Sequence, residues 1–205
     1  MSKSAKSPAA VVASMLGGLL LMVLALGCGG SADARGSESA SLTQQSLAGD
    51  SRRSFPQLPS PVLAVPSGNE LEFFYDAVGV QIYACQATST GFGWVFQAPE
   101  ATLFDRHGRV AGKHFAGPTW EAKDGSQVVG SKLAAFTVDP TSIPWLLLKA
   151  ASHTGDGRMS EVTYIQRLET SGGIAPSAGC DAAHVGDIAR VDYTATYFFY
   201  EAENE

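Results

Sequence analysis

The end of the chain constrains its fold more than any other stretch. Val191, Tyr193, Ala195, Tyr197 and Phe199 occupy alternate positions, with Arg190, Asp192, Thr194 and Thr196 between them. Successive side chains of an extended strand point to opposite faces, so this pattern describes a strand with one face in a core and one in water. A one-residue slip in pairing would expose all of the apolar set, which fixes the register. The same period recurs upstream. Leu71, Phe73 and Tyr75 alternate with Glu70 and Glu72, and Val80, Ile82 and Ala84 form a second run with Gln81 on the other face. Further strand candidates lie at 92–98, 101–104, 110–115, 127–138, 145–152 and 159–168.

Turn chemistry separates many of these runs. Asp124-Gly125 suits a tight hairpin, Asp105 to Gly108 a longer one, and Gly155-Asp156-Gly157 another. No long stretch carries a helical period. Short strands joined by Gly-rich turns predict one all-β domain over 62–205, either an antiparallel β-sandwich or a small β-barrel. Residues 171–187 read as a long loop, with Asp181 to His184 as a short helical turn.

The other end of the chain is an address. Lys3 and Lys6 precede an uncharged run from Ala9 to Gly27, the layout of a secretory signal. Leu24-Ala25-Leu26-Gly27-Cys28 resembles a bacterial lipobox, in which Cys28 is acylated and becomes the new N-terminus; Ala25 stands where that motif usually has Leu. Two alternatives remain. Ala32-Asp33-Ala34 suits ordinary signal cleavage, and the apolar run is about the ~20 residues of an uncleaved spanning helix. The expectation is a signal peptide over 1–27 and a lipid anchor at Cys28, placing the protein in the cell envelope, with free secretion as the alternative. Residues 28–61, rich in Ser, Ala, Gly and Pro, bury too little apolar surface to offset their ordering entropy and read as a disordered tether.

Loss of the signal removes Lys3 and Lys6 from a chain already at −6. An acidic protein has no electrostatic attraction to nucleic acid or to anionic lipid, so membrane attachment falls to the acyl chain. With Cys28 at the anchor, Cys85 and Cys180 remain as a pair in an oxidising compartment. A bridge between them closes a loop of about 96 residues, worth roughly 4–5 kcal/mol on the chain-entropy model. The alternative is two buried free thiols.

No dinucleotide fingerprint, nucleophile elbow or zincin motif is present, and Gly108 to Lys113 falls one residue short of a phosphate loop. Two regions hold candidate ligand-binding residues. In the first, His114 ends one strand and Trp120-Glu121 begins the next across a Gly-Pro turn. An imidazole, an indole and a carboxylate there would suit a polar ligand, a stacked sugar or general-base chemistry; the plain alternative is a hydrogen-bonded His and a core-edge Trp. In the second, His153 enters the turn that carries Asp156, where a solvated loop is the alternative. A metal site from His114, His153 and Glu121 has suitable ligand types but no local spacing, so neither a metal nor a cofactor is expected. His107 and His184 sit in polar loops.

From Gly79 onwards the chain resembles an uncharacterised family, the DUF3455 proteins of bacteria, fungi and plants, over about 62–201. The likeness is carried by Ala98 to Ala101, His114 to Glu121, Asp124 to Ser126, Pro144 to Leu148, His153 to Gly157, Ile165 to Arg167 and Gly179 to Asp181. The resemblance implies no activity. The malate dehydrogenase label of some members finds no support in a chain lacking a nucleotide fingerprint and alternating βα units. Three functions therefore compete: an envelope module binding a small molecule, glycan or protein partner; a small hydrolase or lyase using His114, Glu121 and His153; and a structural envelope protein.

Overall fold

A computed structural model describes residues 55–203. The signal segment, Cys28 and the tether up to residue 54 lie outside the described residues. Eight antiparallel strands form one sheet that closes on itself. They are β1 (Asn69–Thr88), β2 (Gly91–Phe104), β3 (Val110–Phe115), β4 (Thr119–Ala122), β5 (Gln127–Phe136), β6 (Trp145–Thr154), β7 (Val162–Gly172) and β8 (Ile188–Ala202). Each pairs with the next in sequence, and β8 returns to β1 from Asn69↔Ala202 to Ala84↔Ile188. Of the two all-β architectures expected, the sheet takes the closed one.

Closure sorts side chains into an inside and an outside. Tyr193, Ala195, Tyr197 and Phe199 of β8 join Phe73, Tyr75, Leu103, Trp120, Leu148 and Ile165 in the interior core. The neighbours Phe198 and Tyr200 face outward, yet they too are buried, in a second cluster with Leu63, Leu147 and Leu168. The covering piece straddles the expected boundary between the tether (28–61) and the domain (62–205). Phe55 packs edge-on against Phe198 with centroids 5.1 Å apart, and a 3₁₀ turn at Pro61–Leu63 drives Leu63 out of solvent. Gln166 Nε2 donates to the Leu63 carbonyl at 2.6 Å while its Oε1 accepts from Tyr200 at 2.7 Å. Residues 55–61 thus lie on the domain, because Phe55 and Leu58 give this Pro-rich stretch apolar surface to pack against it.

β1 departs from its expected pattern. Two separate runs were expected there; the structure has one strand, and parity carries inward from Phe73, Tyr75 and Ala77 to Gln81. Val80 and Ile82 are consequently half-buried on the outside, the reverse of the expected face. Tyr83 and Cys85 continue the parity of Gln81 and are buried, as is Ala84 between them; a bulge offsets Ile82↔Ala98 from Tyr83↔Phe96. β2 likewise fuses two expected strands, with Gln97 as its extra residue at that bulge.

One end of the barrel is plugged. Asp124, in the β4–β5 turn, accepts from Ser126 N and Oγ with one carboxylate oxygen and from Arg158 N with the other, at 2.6–2.9 Å. These bonds pull down the carboxyl's pKa. They hold the β6–β7 loop so that Met159 is fully buried and the Arg158 guanidinium sits 4.1 Å above the Phe73 ring. Gly157 permits the approach: its φ is +151°, and a Cβ there would fall 2.5 Å from Asp124 Oδ2. At the other end the Cys85–Cys180 disulfide joins β1 to the long β7–β8 loop, with Cα atoms 5.3 Å apart. Backbone bonds from Cys85 N to Asp187 O and from Gly186 N to Cys85 O, both 2.9 Å, flank it.

Candidate ligand site in the barrel mouth

The sequence brings His114 and Trp120 together as cross-strand partners on β3 and β4, and both point inward. Their rings stack at 4.4 Å with planes 15° apart. Tyr197, from β8, closes on the pair at 5.0 and 5.2 Å. Gly130 of β5 leaves room for the indole, since a Cβ there would lie 2.8 Å from its ring. His114 is 3% exposed and its Nδ1 lies 2.9 Å from the Thr119 carbonyl. A carbonyl only accepts, so Nδ1 carries the proton and Nε2 is the acceptor. Burial pushes the His114 pKa down to about 3, against the smaller pull of the Thr119 carbonyl, and the ring is neutral at pH 7.

Glu121 does not join them. Alternation turns it to the outer face, where it pairs with Lys113 Nζ at 2.9 Å and accepts from Gln127 at 2.7 Å. His153 sits opposite Val128, which sits opposite Trp120, so three inter-strand steps separate it from His114, about 14 Å at the usual strand spacing. Its Nε2 meets the Val162 carbonyl at 2.7 Å, where β6 and β7 have diverged beyond Lys149↔Tyr164. Asp156 is exposed in the neighbouring turn. Of the five candidate ligand-binding residues, the structure brings together His114 and Trp120 and separates Glu121, His153 and Asp156 from them. Among the described residues no cluster of three His, Cys, Asp or Glu side chains has metal-binding geometry.

His114 and Trp120 form part of the wall of a cavity of about 380 Å³ in the open mouth of the barrel. All eight strands reach it. Leu146, Leu148, Pro99 and the half-exposed Phe96 give it an apolar lining; Gln81, Tyr197, Arg167 and Lys132 add polar groups. Sequence reasoning singled out none of these four polar residues. A signal for Arg167 was present, because it shares parity with the buried Ile165 and so places a charge on the inward face of β7.

Two buried side-chain donors in the described residues make no well-formed hydrogen bond: Trp120 Nε1, and Gln81 Nε2, whose side chain lies beside the Tyr193 phenol. Their residues are 1% and 3% exposed, and both line this cavity. Leaving such a donor unpaired costs about 1–3 kcal/mol, and folded proteins rarely tolerate it without a reason. The arrangement is therefore a partly enclosed, largely apolar cavity whose wall holds two buried, unsatisfied donors.

The fold and cavity define a closed antiparallel β-barrel with an occupiable mouth. The chain belongs to the family described as protein of unknown function DUF3455, whose model matches residues 66–201. No curated protein and no solved structure matches it.

Proposed function

We propose that this protein is an extracytoplasmic binding module, tethered to a membrane through an acylated Cys28, that takes a small molecule into the mouth of its barrel. The observation that carries the reading is the pair of unsatisfied donors, Trp120 Nε1 and Gln81 Nε2, on one largely apolar cavity. A ligand acceptor would satisfy both and recover the cost of leaving them unpaired. A glycan would stack on an exposed indole face, whereas Trp120 is buried and already stacked on His114, which favours a compact, partly apolar ligand over a sugar chain. Phe96 at the rim, half-exposed in the free protein, gives such a ligand an apolar surface to cover.

The catalytic alternative has no comparable support. Glu121 is on the other side of the sheet from His114, and a histidine whose conjugate acid has a pKa near 3 is a weak general base. The disulfide fits an oxidising compartment outside the cytoplasm.

Binding is tested by titrating the purified exported protein with N-phenyl-1-naphthylamine, a neutral aromatic dye that brightens on leaving water. Saturable enhancement that Trp120→Phe weakens is the expected result; no enhancement, or enhancement indifferent to that substitution, counts against the mouth as the site. The address is tested separately by mass spectrometry of the mature N-terminus. A lipidated Cys28 is expected, and an unmodified start at Arg35 would remove the anchor from the proposal.

A further inference from the structure

The cavity's charges narrow the ligand's chemistry. Arg167 and Lys132 both line it, and no carboxylate does. That imbalance stands out in a chain whose formal charge is −6. Among the described residues no acid lies within ion-pair distance of either cation. Arg167 Nε and Nη2 both donate to the Pro144 carbonyl, at 3.1 and 2.8 Å. Arg167 also reaches the Tyr197 phenol. One edge of the guanidinium is fixed to the β5–β6 loop, and its Nη1/Nη2 edge has no carbonyl or carboxylate partner in the described residues. That end-on edge is a two-donor fork matched to a carboxylate. The field of Arg167 reaches Tyr83, His114, Tyr193 and Tyr197, and no carboxylate opposes it at any of them. The unsatisfied buried atoms, Trp120 Nε1 and Gln81 Nε2, are also donors.

Resting on the reading of the mouth as a ligand site, we propose that the ligand is a compact apolar or aromatic carboxylate. Its anionic group accepts from Arg167 and from the Trp120 and Gln81 donors, and its hydrocarbon body lies against Leu146, Leu148 and Phe96. Neutral His114 does not add to the positive charge; its Nε2 is an acceptor, so it suits a ligand hydroxyl better than the carboxylate. Lys132, exposed at the rim, attracts the anion without holding it in one geometry.

Three probes separate the possibilities, all with the full exported protein at pH 7 and low salt. N-phenyl-1-naphthylamine reports whether the mouth binds anything. Competition for it by 2-naphthoate and by 2-naphthamide, which share one ring system and differ in charge, reports anion preference. The expected result is that naphthoate competes at least tenfold more tightly than the amide. That margin should shrink with added salt and vanish in Arg167→Gln. Lys132→Gln changes only a rim residue and should reduce the margin about threefold, which keeps the test informative if the Arg167 variant does not fold. Amide and acid competing equally, with the dye bound, would overturn the carboxylate assignment and leave the binding site intact. Failure of the dye and both naphthalenes to bind would overturn the binding-site reading and the assignment together.

Discussion

Trp120 and His114 carry opposite kinds of cost, and each is measurable. Trp120→Phe removes an unsatisfied donor worth about 1–3 kcal/mol and opens a cavity costing about 1 kcal/mol at ~24 cal/mol per Å³. The free protein should therefore unfold within about 1 kcal/mol of the parent in urea while losing dye affinity, a combination that a purely structural tryptophan would not give. His114 titrates near 6.5 in the unfolded chain and near 3 in the fold. Between those values the unfolded state binds more protons, so stability rises with pH through this window and falls on acidification. Going from pH 7 to 5 should cost about 2 kcal/mol at 1.36 kcal/mol per pH unit. His184, whose pKa Asp181 raises, acts in the opposite sense. The loss of this slope in His114→Phe is accordingly the test, and an unchanged slope would refute the assignment. The sequence placed His114 beside Trp120 because strand parity across a short turn determines which residues meet. It grouped Glu121 with them although the same parity turns a neighbouring residue to the far face. Trp120 Nε1 was not legible as unsatisfied, since a donor's partners come from strands distant in the chain.

At the scale of elements, the alternation in β8 was readable because both ends of its pattern are unambiguous; β1 was misread because Gln81 looked like a solvent-facing residue. A polar side chain in the inward series is what a ligand cavity looks like in one dimension, and period alone gives it to the surface. The Asp124-Gly125-Ser126 and Gly155-Asp156-Gly157 segments read as turns, which they are. Their joint role as a plug depends on the β6–β7 loop returning to the β4–β5 turn across more than thirty residues. Asp124→Ala removes three acceptor contacts at once and should destabilise the domain by about 2–4 kcal/mol, given about 1 kcal/mol or more for each bond to a charged group. Gly157→Ala should produce a comparable loss through steric conflict with the same carboxylate. Chemical denaturation of the two variants and their combination checks this. The double variant is expected to lose less than the sum of the two singles, because the clash with Asp124 is gone and only the backbone strain at position 157 is added.

For the molecule as a whole, closure of the sheet leaves each end to be settled separately: the β6–β7 loop fills one, and the other stays open with the disulfide-held loop attached to β1. Joint Cys85→Ser and Cys180→Ser should lower stability by about 4–5 kcal/mol on the chain-entropy model, and the parent in reductant should show the same fall. The all-β class and the cysteine pairing were legible because they follow from period and compartment. The mouth was not, because its wall draws residues from all eight strands. The central claim is that ligand enters this mouth and accepts from Trp120. The indole N–H resonances of the three tryptophans report it directly. Trp94 Nε1 already donates to Ala178 at 2.9 Å and Trp145 packs in the outer cluster. On adding 2-naphthoate, the Trp120 indole signal should move strongly downfield while the other two hold still. Naphthoate binding that leaves the Trp120 signal in place, or shifts only Trp94 and Trp145, would contradict the account.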